Sequence, residues 1–239
     1  MSRIPRISSW YADQRSVGRN DGNPLYVTHC LRQLFGRENV VHVFPRDNTD
    51  GLGTFDLNVH ADWGEDAFGW TDFKLPSPSV YWASDTHLGY AYRLERARQS
   101  DITFCAQRKA VSDFIRDGIP ADRCHWLPHA FDPLAYSRGI FDLKKNAWNR
   151  DVYVSKRYDV CFVGHMNDEN RILHVDRLFR EFPNFYWGNK RFHEAAEVYN
   201  QSRIVFNVSA RSELNMRVFE ALGSGAFLLT DKLPESETP

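Results

Sequence analysis

The sequence predicts an α/β fold with two doubly wound, Rossmann-like domains, of which the second is incomplete. Short apolar runs alternate with amphipathic stretches, a pattern typical of strand–helix units in a mostly parallel sheet. The alternation breaks off in a polar stretch at 137–156 and then restarts. We therefore expect an N-terminal domain at 1–136, a linker at 137–156 and a partial C-terminal domain at 157–239.

Composition excludes several classes of protein. The 239 residues carry 30 Lys and Arg against 31 Asp and Glu, so the chain lacks the positive field expected of a nucleic-acid or membrane-surface binder. No apolar run approaches the roughly 18–20 residues of a membrane span, and the first residues do not form a signal peptide. The four cysteines form no CxxC pair. We expect a cytoplasmic protein with no nucleic-acid partner and no membrane span.

In the first block, six apolar runs predict strands and three amphipathic stretches between them predict helices. The predicted strands are Arg6–Trp10, Val40–Phe44, Phe55–His60, Ser79–Ala83, Ile102–Ala106 and Cys124–Pro128. The predicted helices are Pro24–Phe35, His87–Gln99 and Lys109–Gly118. The first helix opens on proline, which a first turn tolerates, and the third closes on a glycine suited to a helix end.

The second block repeats the pattern over a shorter length. The predicted strands are Tyr158–Val163, Asn184–Trp187, Ile204–Val208 and Ala226–Thr230. The predicted helices are Glu169–Phe182, Phe192–Ser202 and Leu214–Leu222. Four strands are few for a sheet that helices cover on both faces. We therefore expect that this chain is C-terminally truncated.

The last predicted helix carries the most informative polar residues. Its apolar side chains form one stripe at Leu214, Val218, Phe219 and Leu222, so Arg217 and Glu220 lie together on the opposite face. The N-terminus of a helix that follows a parallel strand suits a phosphate group, and arginine adds a forked donor. The alternative is a solvated Arg–Glu pair that contributes only about 0.3 kcal/mol to the free energy of unfolding.

Three runs, RYDVCFVGHMNDEN, YNQSRIVFNVS and NMRVFEALGSGAFLLTD, resemble the CgeB-like (spore maturation protein) glycosyltransferases. They are more distantly similar to other group 1 transferases of the two-domain GT-B fold. The R-x-F-E-A helix of that family matches Arg217–Ala221, and its G-A-x-L-L-T strand matches Gly225–Thr230. In the first half, YWASDTH, SDITFCAQRKAVSDFIRDGI and CHWLPHAFDP also resemble family segments, so the similarity extends from about residue 78 to 231.

The resemblance implies that the second block binds a nucleotide-diphosphate sugar as donor substrate. Glu220 matches the glutamate that contacts the nucleotide ribose, and Arg217 is expected on the diphosphate. The predicted donor-binding residues are Gly164, His165, Asn207, Asn215, Arg217 and Glu220. Related retaining transferases have a further glutamate eight positions before Glu220, where this chain has Ser212, with Glu213 beside it. The family implies no metal and no cofactor, and the acceptor is unknown: a glycan, a protein or a small molecule.

Two positions in this block keep a structural alternative. Gly164 and His165 follow the strand DVCFVG, where glycine permits close approach of backbone to a ligand, or where they form a tight turn before a helix capped by Asn167 or Asp168. Asn207 ends the run IVFN and either donates to a ligand or satisfies its own turn.

Asp85 and His87 are the candidate catalytic residues, because they follow the strand SVYWA at the carboxyl edge of the first sheet. Glycosyl transfer needs the acceptor hydroxyl deprotonated as it attacks, and either side chain can act as the general base. The alternative is that Asp85 or Ser84 caps the helix predicted from His87.

The sequence thus predicts a glycosyltransferase that moves a sugar from a nucleotide-sugar to an unidentified acceptor. Two alternatives stay open. One is a truncated or degenerate, non-catalytic nucleotide-sugar-binding module. The other is a different enzyme of the same fold, such as an epimerase or a phosphorylase.

Overall fold

The computed structural model describes residues 3–11, 23–45, 49–64, 72–209 and 213–234. The chain divides into two compact units, Met1–Pro128 and His129–Pro239. Within the described ranges, no helix combines the length and apolar character that crossing a bilayer requires.

The first unit contains a parallel sheet flanked by helices. Its described strands are β1 (Ile7–Trp10), β2 (Val40–Val43), β3 (Leu57–Ala61), β4 (Ser79–Ala83), β5 (Ile102–Cys105) and β6 (Cys124–Trp126), in the spatial order β2-β1-β3-β4-β5-β6. The helices are α1 (Asn23–Phe35), α2 (Tyr90–Gln99) and α3 (Arg108–Arg116), with short 3₁₀ turns at Arg37–Asn39 and Ala121–Arg123.

The second unit contains a smaller parallel sheet. An antiparallel hairpin, β7 (Ile140–Asp142) and β8 (Ala147–Asn149), precedes it. The sheet strands are β9 (Tyr158–Val163), β10 (Phe185–Gly188), β11 (Ser202–Asn207) and β12 (Phe227–Thr230), in the order β10-β9-β11-β12. The helices are α4 (Glu169–Glu181), α5 (Phe192–Asn200) and α6 (Met216–Gly223).

Both large sheets confirm the predicted Rossmann-like α/β class, since every pairing in them is parallel. β1 is buried along its whole length although Ser8 and Ser9 are polar, as expected where both faces of a parallel sheet are covered. In the second unit, Val160 and Phe162 of β9 are almost fully buried with Val175 of α4 and Val208. β12 is one of the two edge strands described in this sheet, and its Phe227 and Leu229 are 68% and 47% exposed.

Several predicted bounds differ from the structure by one to three residues, and one hairpin was not predicted. Helix α2 begins at Tyr90 rather than at His87, because Gly89 occupies the N-cap in the left-handed conformation (φ 70°). Helix α6 begins at Met216, and its buried side chains are Val218 and Ala221, whereas Leu222 is 56% exposed. The hairpin β7–β8 lies inside the stretch 137–156, where the sequence indicated only a connector.

Candidate functional site

The strand order of the second sheet reverses between β9 and β11. The chain passes from β9 outward to β10 and then returns to the other side of β9 to form β11. Ligands of open α/β sheets bind in the crevice outside the carboxyl ends of the strands at such a reversal. Gly164 directly follows β9, and Asn207 is the last residue of β11. Two predicted donor-binding residues therefore flank this crevice.

Arg217, in the first turn of α6, extends its side chain to the same strand ends. Its Nε donates to the carbonyl oxygen of Val163 at 2.6 Å, and its Nη1 donates to Oδ1 of Asn207 at 2.7 Å. The guanidinium also lies over the ring of Phe162, 4.5 Å from the ring centroid. These hydrogen bonds replace the pairing with Glu220 that the sequence left open as an alternative. Arg217 thus presents a positive charge among neutral hydrogen-bond partners.

Gly164 makes room for this arginine. A Cβ at this position would overlap Nη2 of Arg217, and the backbone φ of 154° is one that residues with a side chain rarely adopt. The indole Nε1 of Trp187 donates to the carbonyl oxygen of Gly164 at 3.3 Å. The glycine is therefore required by the position of Arg217 as well as by the turn.

Two asparagines complete the cluster. Asn207 is fully buried, and its Oδ1 accepts from Arg217 and, at 3.1 Å, from Nδ2 of Asn215. Its own Nδ2 donates to Oγ1 of Thr230 at 2.9 Å, so its amide orients side chains of α6 and β12 rather than only its own turn. Asn215 is the N-cap of α6 without a capping bond, and its buried Oδ1 meets no hydrogen-bond partner among the described residues.

Arg171 belongs to this crevice, although the sequence analysis did not select it. Its Nη1 donates to the carbonyl oxygen of His165 at 3.0 Å, and its Nη2 donates to that of Val208 at 3.2 Å. One guanidinium thus joins the segment after β9 to the segment after β11. Burial and, secondarily, the charge of Arg217 lower the pKa of Arg171. In the sequence it is one of several arginines of an amphipathic helix, and only its place in the first turn after a strand and a glycine distinguishes it.

The turn before α4 ends in a helix cap at Asp168, which is one of the two alternatives that the sequence left open for this segment. Oδ1 of Asp168 accepts from the backbone N–H of Arg171 at 3.0 Å, which is the geometry of a helix N-cap. His165 in this turn is exposed, and its ring lies 3.4 Å from Nδ2 of Asn189. The capped turn and an accessible histidine therefore occur together.

Glu220 lies one turn further along α6 and is half-buried. Burial, together with the negative charge of Glu220, raises the pKa of the buried Tyr199 well above its usual value. The structure thus brings Asn207, Asn215 and Arg217 into one hydrogen-bonded cluster, and Gly164 lies against Arg217. It places Glu220 near Tyr199, outside that cluster.

In the first unit, Asp85 and His87 lie in the turn after β4. Asp85 is exposed and has a φ of 41°, which is uncommon for a residue with a side chain. Its carbonyl oxygen accepts from the backbone N–H of Leu88 at 2.7 Å, and His87 is half-buried. The alternative that Asp85 or Ser84 caps the next helix is wrong, because α2 begins at Tyr90 behind Gly89.

A buried ion pair supports this turn. Nε of Arg93 lies 2.5 Å from Oδ2 of Asp62, and the two side chains are 3% and 0% exposed. The same guanidinium donates to the carbonyl oxygens of Ser84, Leu88 and Gly89, which bracket the candidate residues. Arg93 of α2 therefore ties the turn 84–89 to the end of β3.

Comparison with models of protein families finds a match for part of the sequence of the second unit. Residues 159–238, about a third of the chain, match the family described as "Glycosyl transferase-like". No curated protein sequence matches the chain. The matched segment contains the strand reversal between β9 and β11 and the cluster around Arg217. The second unit therefore contains a segment that is similar to this glycosyl transferase-like family.

Proposed function

We propose that this chain transfers a sugar from a nucleotide-diphosphate donor to a hydroxyl of an acceptor, and that the donor binds at the carboxyl edge of the second sheet. The observation that supports this most directly is the position of Arg217. Its guanidinium is held at the strand reversal by Val163 and Asn207, inside the segment that matches the glycosyl transferase-like family. The guanidinium has no ion-pair partner at hydrogen-bond distance among the described residues, so its positive charge is available to a ligand.

The roles of the donor-site residues follow from their chemistry. Arg217 and the first N–H groups of α6 would hold the diphosphate, where arginine stabilises the negative charge that develops on the leaving group. Gly164 leaves room for the guanidinium of Arg217, and His165 and Asn215 supply neighbouring polar groups. Glu220 would accept from the ribose hydroxyls. The reaction in this proposal uses no metal and no further cofactor.

The acceptor side of the proposal lies in the first unit. Asp85 or His87 would remove the proton of the attacking hydroxyl, since both follow a strand at its carboxyl end. The strained backbone of Asp85 supports this role, because such strain is concentrated at functional sites. Within group 1 transferases, the motif from Arg217 to Thr230 favours the CgeB-like branch, and the spaced, free cysteines favour a cytoplasmic location.

Donor binding can be tested on the full chain with uridine and guanosine diphosphates and their sugars, by isothermal titration. Glu220→Ala is expected to weaken binding of the preferred nucleotide about tenfold, the loss of roughly one hydrogen bond to a charged group. Alanine favours a helix, so the thermal unfolding midpoint is not expected to fall. Glu181→Ala, at an exposed position that ends α4, is the matched control. An unchanged affinity in the Glu220 variant would refute the assignment of Glu220.

Turnover is a separate measurement. Incubation with a nucleotide-sugar labelled in the sugar distinguishes transfer to a new acceptor from epimerisation, in which the label stays on the nucleotide. Tight binding of the diphosphate without release of label from any donor would instead favour the non-catalytic binding module. No binding of any nucleoside diphosphate by the wild-type chain would contradict the proposed function as a whole.

A further inference from the structure

Gln107 is a buried amide with unsatisfied hydrogen-bonding capacity. It is 5% exposed, and neither its Nε2 nor its Oε1 meets a hydrogen-bond partner among the described residues. Buried polar side chains in proteins are nearly always hydrogen-bonded, and each exception requires an explanation. It is the N-cap of α3, yet its side chain makes no capping bond.

The backbone around Gln107 is fixed although its side chain is not bonded. The N–H of Ala106 donates to the carbonyl oxygen of Ala83 at 2.9 Å, and the carbonyl oxygen of Ala106 accepts from Nε1 of Trp126 at 3.2 Å. These bonds anchor the residue to β4 on one side and to β6 on the other. The amide is therefore held in a defined place with its hydrogen-bonding groups unused, as in a preorganised binding site.

The strand register places Gln107 level with the candidate base. Ala83 of β4 is paired with Cys105 of β5, so Asp85 and Gln107 each lie two residues beyond this pair. Both therefore lie at the carboxyl edge of the first sheet, just beyond the ends of neighbouring strands. A group bound by Gln107 lies beside the turn that carries Asp85 and His87.

The chemistry of the unused groups identifies the ligand. A carboxamide offers two N–H donors and one oxygen acceptor, and hydroxyl groups are the ligands that satisfy both. A phosphate would accept from Nε2 and leave Oε1 unsatisfied. The first N–H groups of α3, which its N-cap side chain leaves unbonded, add further donors for a hydroxyl oxygen.

We propose that Gln107 binds a hydroxyl pair of a polyhydroxylated acceptor. It thereby positions the neighbouring hydroxyl so that Asp85 or His87 can remove its proton as it attacks the donor sugar. This inference rests on the proposed glycosyl transfer. It adds the class of acceptor, a saccharide or other polyol, and a residue that recognises it.

Gln107→Leu separates a binding role from a structural one. Leucine removes the two unsatisfied polar atoms at similar volume, so the unfolding midpoint is expected to stay the same or rise by about 2–4 °C. Transfer to the acceptor panel (glucose, N-acetylglucosamine and glycerol) is expected to fall at least about tenfold, mainly through a higher acceptor KM. Binding of nucleoside diphosphate is expected to be unchanged. Gln107→Met serves as a second variant, and Gln99→Leu, an exposed glutamine of α2, is the control.

The outcomes are distinct. A midpoint several degrees lower in both Gln107 variants, or unchanged acceptor KM, would overturn the inference. If the wild-type chain binds no nucleoside diphosphate, the proposed function fails, and the side-chain amide resonance of Gln107 decides the inference alone. In ¹⁵N-glutamine-labelled protein, that resonance should shift saturably with the sugars. No shift with any of them, or a shift with inorganic phosphate only, would contradict a hydroxyl-binding role.

Discussion

At the scale of single residues, the positively charged side chain of Arg217 in the second unit is positioned by neutral groups. The guanidinium of Arg217 is positioned by a backbone carbonyl, an amide oxygen and the face of Phe162, none of which neutralises it. A carboxylate partner at the same distance would compete directly with an anionic ligand. Neutral partners fix the direction of the side chain and leave its charge available, which is the arrangement expected of preorganised electrostatic stabilisation.

Gly164→Ala is expected to displace Arg217, because the added Cβ overlaps Nη2. The substitution should lower the free energy of unfolding by about 1–3 kcal/mol and weaken diphosphate binding. In the Arg217→Ala background the same substitution should cost at least about 1 kcal/mol less, since the overlap is gone. Urea unfolding of the four proteins measures this coupling. Additive effects would show that the glycine serves its turn alone.

The hydrogen-bond partners of the site residues were harder to predict than which residues to consider as candidates. Spacing along a helix singled out Arg217 as a candidate, but it placed the residue beside Glu220, three positions away. The actual partners, Val163 and Asn207, come from two other strands, and only the strand order brings them together. Arg171 was missed for the same reason, because its two carbonyl partners lie on segments that follow different strands.

At the scale of elements, the turn after β4 depends on a helix that follows it. Arg93 of α2 reaches back to Asp62 and to the carbonyls of Ser84, Leu88 and Gly89. Neither side chain is exposed, so the pair has lost its hydration, and these contacts contribute to its stability. The ion pair thus links the conformation of the turn to the integrity of β3 and α2.

Asp62→Leu and Arg93→Met are each expected to lower the free energy of unfolding by about 3–5 kcal/mol, because each removes one half of a buried ion pair. The double variant should be less destabilised than the sum of the two, since it buries no charge. Its turn at 84–89 should nevertheless exchange amide hydrogens faster than in the wild-type protein, because the hydrogen bonds from Arg93 to three backbone carbonyl oxygens are lost. Equilibrium unfolding and hydrogen exchange by mass spectrometry measure these effects. A double variant as unstable as the sum would argue against the ion-pair explanation.

The strands were predicted more closely than the helix starts. Ser79–Ala83 and Tyr158–Val163 match in both bounds, because apolar runs between polar turns are strong local signals. The start of α2 depends on Gly89 adopting a left-handed conformation, which composition alone does not specify. The hairpin β7–β8 was missed because its strands are only three residues long and one of them follows the polar run Lys144–Asn146.

At the scale of the whole molecule, one buried histidine couples stability to pH. Burial lowers the pKa of His129 to about 4, and the charge of Glu213 opposes this change only in part. The unfolded chain has a histidine pKa near 6.5, so between about pH 6.5 and 4 the unfolded state binds the extra proton. Stability is therefore present above this window and is lost as the pH falls through it.

We expect the free energy of unfolding to decrease by up to about 1.4 kcal/mol for each pH unit below 6.5 on account of His129. His129→Gln should flatten this dependence, measured by urea unfolding at a series of pH values. His125→Gln, at an exposed position four residues earlier, should leave it unchanged. An equal slope in the wild-type and His129→Gln proteins would show that other groups cause the acid sensitivity.

The parallel order of both large sheets has a consequence for the rate at which the chain folds. No neighbouring strands in them are joined by a hairpin, so each pairing waits for a distant part of the chain. Ile7 of β1 meets Val40 on one side and Leu57 on the other. Such long loops must close before their contacts form, which makes folding slow and exposes apolar strands meanwhile. Low temperature during expression, which slows synthesis and weakens hydrophobic association, should therefore raise the yield of soluble protein.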